Sequence, residues 1–373
     1  MSVGPRLKIL ITNLALDRLG GTESVVRDLA LGLLRRGHRP IVYSPHLGAP
    51  AYEIQNRGVA VISDLGQMAE APDVIHGQHF IQTAEAILHF PSVPVVSVCH
   101  AWPFWQERPP KFPQVKRYVC VDEAVRDRLV HTEQIDPART AIIHNAVDLT
   151  RFPARPAPLP QRPRTALAFT KNKAQLPILA EACRRQGIAF NTLGAGGDRM
   201  VSNPEAELVR YDLVFATARM AIEAICAGSA VVVCDARGFG GAVTDENFEF
   251  MRNLNFGLRT LVHSVTIESV SAALSRYDAQ EARSISTKLR EFANLERALD
   301  SYEALYASAI SEAAAAPVAE ADYRKAMLAF LSQTLPRRRG DGRWPWMIER
   351  ENLMNRITQL DSELAEARRV QPK

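Results

Sequence analysis

Residues 19–38, LGGTESVVRDLALGLLRRGH, place two glycines, Gly20 and Gly21, directly before an amphipathic stretch. With no Cβ in the way, a ligand can approach main-chain N–H groups at the positive end of a helix, where an anion is favoured. A purely structural turn would not need both glycines on that edge, and Glu23 in the first turn suits the helix dipole. The pattern is not a dinucleotide fingerprint: GGTESV has adjacent glycines and none later, which argues against an NAD or FAD enzyme. His76 and His79, three apart in HGQH, lack the helix and glutamate of a zinc protease, so no metal site is expected. His100 ends an apolar run, where an imidazole either bonds a ligand hydroxyl or serves as a structural histidine. After it, Trp102, Phe104 and Trp105 in AWPFWQERPPKF suit stacking on a sugar, contact with a membrane surface, or packing between loops.

The elements that must position these groups are legible in the pattern. KILIT (8–12) reads as a strand, and the helix after it has Val25, Val26, Leu29, Ala30, Leu33 and Leu34 on one face. Arg27, Asp28, Arg35 and Arg36 are expected to turn outward. Strands at 40–44, 59–63, 73–76, 93–100, 117–121 and 140–144 continue the alternation. Apolar strands separated by helices imply a parallel sheet covered on both faces, hence a Rossmann-like domain over residues 1–150. Prolines 153, 156, 158, 160 and 163 make residues 151–164 an extended linker. A second alternation follows, with strands at 165–170, 188–193, 212–217 and 230–235 and helices near 174–187 and 219–227. It gives a second Rossmann-like domain over 165–316, and a helical tail over 317–373. In the tail, Leu353, Ile357, Leu360 and Leu364 form a short seam, which makes residues 347–368 a candidate for self-association.

Composition sets limits on function. The chain has 373 residues and a net charge of +4, from 45 basic and 41 acidic residues. That surplus is compatible with phosphorylated substrates or an anionic membrane surface and is not a nucleic-acid footprint. Five cysteines without C-x-x-C spacing, mostly in apolar runs, read as reduced buried thiols of a cytoplasmic protein. Neither a cleavable leader nor a membrane span is evident, so membrane contact would be peripheral, at the inner face. The basic run Arg337-Arg338-Arg339 near Trp344 and Trp346 would serve such contact or remain a solvated run.

Several motifs together resemble a family. GGTE with the helix and strand after it, DVIHGQH (73–79), the strand ending at His100, VCVDEAVRDRL (119–129), IIHNAVDLTRF (142–152) and YDLVFATARMAIEAICAGSAVVVCDARGFGG (211–241) are similar, in order and spacing, to the family 4-type retaining glycosyltransferases. The resemblance implies an α/β chain of GT-B fold, in which an acceptor-side domain and a donor-side domain face a cleft. It implies transfer of a sugar from a nucleoside-diphosphate donor to a hydroxyl of a glycan or lipid-linked glycan, with retention, as in polysaccharide biosynthesis. No cofactor or metal is implied; the nucleotide sugar is substrate. Basic residues would then take up diphosphate charge, which Lys171, Lys173 and Arg219 could supply. Glu223 matches the second glutamate of a Glu–seven residues–Glu motif, whose carboxylate accepts from both ribose hydroxyls. His100 would lie near the donor sugar and acceptor. The first motif glutamate is absent, because Phe215 stands eight positions before Glu223, and the usual glycine run is replaced by Thr217-Ala218-Arg219. Sugar contacts would then come from the backbone of Phe239, Gly240 and Gly241. Two alternatives stay open: a nucleotide-sugar epimerase or phosphorylase on this fold, and a catalytically silent sugar-nucleotide-binding or scaffold module.

Overall fold

The computed structural model describes residues 6–18, 20–198, 201, 203–335, 354–356 and 359. The chain divides into two compact units, Met1–Val318 and Ala319–Lys373. The first holds two sheets.

The first sheet has seven parallel strands: β1 (Lys8–Thr12), β2 (Arg39–Tyr43), β3 (Ala60–Ile62), β4 (Val74–Gln78), β5 (Val95–Cys99), β6 (Val115–Cys120) and β7 (Thr140–Ile142). Their order is β3-β2-β1-β4-β5-β6-β7, so the winding reverses between β1 and β4. Helices α1 (Gly21–Arg35), α2 (Ala49–Asn56), α3 (Phe80–His89) and α4 (Glu123–Asp127) connect these strands. Apolar residues on both faces of each strand fit burial between helical layers. Val95, Val96, Val98 and Cys99 of β5 are all buried.

The second sheet contains β8 (Thr165–Phe169), β9 (Ala189–Leu193), β10 (Leu213–Ala216), β11 (Ala230–Asp235) and β12 (Gly238–Ala242), in the order β12-β11-β10-β8-β9. All pair in parallel except β12, which returns antiparallel along β11. Winding reverses between β8 and β10. Helices α5 (Leu176–Arg185), α6 (Pro204–Leu208), α7 (Ala218–Cys226), α8 (Phe248–Asn253), α9 (Ile267–Ser275) and α10 (Ala279–Phe292) build two apolar clusters against it. The expected linker over 151–164 carries neither strand nor helix. It is anchored, however: Phe152 is buried in the second core, and Arg290 Nη1 donates to its carbonyl at 2.7 Å.

Helix α11 (Leu295–Ala315) does not stay with the second sheet. It crosses back to pack on α1 and on β4, β5 and β6, so the segment 165–316 contributes its last helix to the first domain. Gly32 permits this, since a Cβ there would stand 2.7 Å from Leu299 Cδ1, a side chain that is itself fully buried. Arg36 fastens the pair through Glu296 (2.8 Å), Asp300 (2.7 Å) and Glu303 (3.1 Å).

Two expectations about faces differ from the structure. Arg27 and Asp28, expected on the solvent side of α1, are 3% and 4% exposed, because the second domain covers the side that the first sheet does not. Strand β12 was not anticipated; its four-residue FGGA core gives no period to read. In the second unit, α12 (Glu320–Thr334) has no buried residue. The basic run 337–339, Trp344, Trp346 and the seam residues Leu353, Ile357, Leu360 and Leu364 lie outside the described residues. Among the described residues no helix is long and apolar enough to cross a membrane.

The α1–α11 contact generates a test. Gly32→Leu should destabilise the protein by about 1–3 kcal/mol by overpacking, read as a lower midpoint of urea unfolding. An unchanged midpoint would mean that α11 is not held at this crossing.

Candidate functional site

In open parallel sheets, ligands bind outside the carboxyl ends of the strands where the winding reverses. Four turns meet that description: those after β1 and β4 in the first domain, and those after β8 and β10 in the second. They carry Gly20-Gly21, His79, Lys171 to Lys173, and Arg219.

After β1, Gly20 is the extended N-cap of α1, with φ −149° and ψ −173°. Its carbonyl accepts from Ser24 Oγ at 2.9 Å, and a side chain here would collide with the Glu23 carboxylate. The Cβ position of Gly21 points across the domains at Lys171 Nζ, 4.0 Å away. Burial raises the Glu23 carboxyl, while its own backbone, Thr22 and the charge of Lys171 pull it down. The sequence expectation of a glycine pair facing the cleft thus acquires a cationic counterpart from the other domain.

After β8, Thr170 shapes the lysine turn. Its hydroxyl accepts from Asn172 N (3.1 Å) and Gln175 Nε2 (2.9 Å). Gly196 lies so close that a Cβ would meet the Lys171 carbonyl carbon at 2.5 Å, which keeps this loop pair compact. Lys171 and Lys173 both stay exposed.

After β10, Arg219 and Glu223 sit on the first turns of α7. Arg219 Nε donates to Glu223 Oε1 at 2.8 Å, Nη1 donates to the Ala146 carbonyl at 3.3 Å, and Nη2 donates to Asp28 Oδ2 of α1. Arg27 in turn donates to Asp28 Oδ1 at 2.8 Å and 3.0 Å. The result is a buried, net-neutral quartet of Arg27, Asp28, Arg219 and Glu223 that joins the two domains. Burial disfavours the Arg219 charge, but Asp28 and Glu223 more than offset it. Burial likewise raises the Glu223 carboxyl against the pull of Arg219. Glu223 is therefore engaged by a guanidinium instead of standing open, and Asp28 is a site residue that the sequence reading turned to solvent.

Position 215 explains the departure from the two-glutamate pattern. It is interior to β10, and the Phe215 ring is buried in the core, edge-on to Phe190 at 6.4 Å. A carboxylate there would be an uncompensated buried charge. Phe239 is also core, and its N–H and carbonyl both pair with His263, at 2.8 and 3.1 Å, so its backbone is not available for a sugar. Gly240 is hemmed by the Thr260 carbonyl, 2.9 Å from its Cβ position, and Gly241 adopts φ +91°.

In the first domain, the His100 backbone donates to Glu107 Oε2 at 2.8 Å, and His79 Nε2 lies 3.4 Å from Glu107 Oε1. His79 Nδ1 accepts from Leu14 N at 3.0 Å, and its φ of +64° with ψ of 143° is a backbone conformation that residues with a side chain rarely adopt. His100 Nε2 is buried without a hydrogen-bond partner. Burial, with His79, His76 and Arg219 nearby, lowers His100 to about 3, so it is a neutral imidazole able to bond a hydroxyl. Glu107 was missed by the sequence reading, since a lone glutamate in a proline-rich loop has no period to mark it. Trp102, Phe104 and Trp105 follow His100 on the same loop, and Trp105 is 64% exposed.

Burial raises Glu107 from 4.5 to about 7, against hydrogen bonds from His100 and Ala101 and the charge of Arg128. The folded protein holds this proton more tightly than the unfolded chain. Its stabilisation is therefore complete below pH 4.5 and lost as the pH rises through 7. His76, His79 and His100, lowered by desolvation, act with the opposite sign below 6.5, so the effect must be read against a variant. Relative to Glu107→Gln, the unsubstituted protein should lose up to about 3 kcal/mol between pH 4.5 and 7 in urea unfolding. A pH-independent difference would remove Glu107 as a titrating group.

With this geometry in place, comparison with known proteins is informative. The model of Glycosyltransferase Family 4 matches residues 19–151. No curated protein matches the chain. Among solved structures, a glycosyltransferase from Rickettsia africae aligns with TM-score 0.58 at 14% identity, over 81% of this chain and 98% of that one. Anabaena HepE, in complex with UDP and glucose, aligns with TM-score 0.57 at 14% identity, over 81% of this chain and all of that one. A putative UDP-N-acetylglucosamine 2-epimerase from Listeria monocytogenes aligns with TM-score 0.51 at 14% identity, over 79% and 94%. At these identities the structural likeness speaks for the fold, and the fold alone serves more than one reaction. The chain has the GT-B fold, with a first domain that matches Glycosyltransferase Family 4.

Proposed function

We propose that this protein is a glycosyltransferase that moves a sugar from a nucleoside-diphosphate donor to a hydroxyl of a glycan or lipid-linked acceptor, with retention and without a metal. The observation that carries the reading is Lys171 facing Gly21 at the N-terminus of α1, across two winding-reversal points. Breaking the bond from sugar C1 to the diphosphate builds negative charge on the leaving group. Lys171, Lys173 and the N–H groups at the start of α1 supply fixed positive potential where that charge grows. Arg219, held rigid by Asp28 and Glu223, sets the field behind them, and Glu223 is the carboxylate nearest in role to the ribose partner of similar enzymes. The neutral His100 bonds a sugar hydroxyl, and Trp102, Phe104 and Trp105 offer faces for the acceptor.

A sugar-nucleotide-binding module without transfer is the second reading. It is favoured by Phe215 in the core and by the engagement of Arg219 and Glu223 with each other. Release of nucleoside diphosphate from a panel of UDP- and GDP-sugars, with and without a sugar acceptor, separates the two: binding without release selects the second.

Lys171→Ala with Lys173→Ala should lower turnover about tenfold or more while the melting temperature holds, since both side chains are exposed. Full turnover in this variant would end their assignment to the diphosphate. Glu223→Gln should weaken donor binding by about 1–3 kcal/mol in calorimetry, and unchanged affinity would take Glu223 out of the donor site.

A further inference from the structure

A feature that the cleft does not explain lies at the hinge. The chain passes between domains twice, and the two passages pair: Val147 N donates to the Ala293 carbonyl at 2.7 Å, and Leu295 N donates to the Val147 carbonyl at 3.1 Å. Beside them is a cavity of about 490 Å³, walled by the segment leaving β7 and by α8, α10 and α11. It is within the size range of small-molecule sites.

Its charge is one-sided. Arg252, Lys288 and Arg297 line it against a single carboxylate, Glu249. Arg252 is 7% exposed, and its guanidinium bonds only neutral acceptors, the Asn145 carbonyl at 3.1 Å and Asn255 Oδ1 at 3.2 Å. Burial without a carboxylate lowers it to about 10. Lys288 lies 4.7 Å from the centre of the Phe248 ring, and Arg297 Nη1 donates to the Glu291 carbonyl at 3.0 Å. Among the described residues none of the three pairs with a carboxylate. His144, on the same wall, has a buried Nε2 without a partner. A buried cation costs several kcal/mol unless an opposite charge compensates it. The quartet at Arg219 has that compensation and the buried Arg252 does not, while Lys288 and Arg297 are exposed to solvent.

We propose that the hinge cavity is a second binding site, separate from the cleft, for a small phosphorylated molecule with a ring or other apolar body. The phosphate would accept from Arg252, Lys288 and Arg297, and the apolar body would lie against Phe248 and Phe292. Because Ala146 both lines the cavity and accepts from Arg219, a ligand here bears on the segment that sets the domain angle.

The test uses the full chain with phenyl phosphate as probe and phenol as its neutral control, by titration calorimetry. Saturable binding of phenyl phosphate, with none of phenol, is expected. Affinity should fall at least about tenfold, a difference of about 1.4 kcal/mol, in Lys288→Glu/Arg297→Glu. It should fall also in Ala298→Trp, which fills the cavity without changing charge. It should be unchanged in Lys171→Ala/Lys173→Ala and in the presence of saturating UDP. No saturable binding, equal binding of phenol, full affinity in both cavity variants, or displacement by UDP would each overturn the proposal. Because the cleft variants are read separately, failure here leaves the transferase reading standing, and the reverse also holds.

Discussion

The contact on which the molecule's two-domain arrangement rests is the ion pair between Asp28 of α1 and Arg219 of α7, completed by Arg27 and Glu223. Four charged groups leave water together, so their mutual attraction is largely offset by desolvation, and the quartet is not a large net source of stability. Its consequence is geometric. Each helix pairs its own two charges, Arg27 with Asp28 and Arg219 with Glu223, and the Asp28–Arg219 contact is the one that needs α1 and α7 to meet in one register; the domain angle that makes it also brings Gly21 and Lys171 to opposite sides of one gap.

That register has support on its other side. Helix α11 leaves the second domain, passes the paired hinge segments and packs on the first sheet, with Gly32 admitting Leu299 and Arg36 holding three carboxylates. The second domain is thus tied to the first through hydrogen-bonded hinge segments and a long packed helix. A change at the hinge must be transmitted to the cleft, because Ala146 of the hinge bonds Arg219 of the quartet.

The cleft divides its work by electrostatics. The wall from the second domain holds exposed cations, Lys171 and Lys173. The wall from the first domain holds neutral imidazoles, His79 and His100, lowered by desolvation to about 4 and about 3, and a carboxyl, Glu107, raised to about 7. Exposed positive charge thus stands on one wall of the cleft and uncharged imidazoles on the other.

The sequence by itself determined the local elements and the turns at the carboxyl ends of the strands. Short apolar runs and period-3.6 patterns located both sheets apart from β12, and Gly20-Gly21, Lys171 and His100 were legible because each lies in the turn that follows a strand. The tertiary structure alone decided what those turns face. Arg27 and Asp28 read as solvated because helical periodicity reports burial against one sheet and says nothing of a second domain covering the opposite face. Glu107 and strand β12 carry no period, and α11 changes partner by crossing the hinge, a step that composition does not mark. Phe215 stands where the family pattern has a glutamate, but only the sheet shows that its side chain points into the core. Local pattern is set by residues a few positions apart. The pairing of Asp28 with Arg219, 191 positions away, is set by how two finished domains meet.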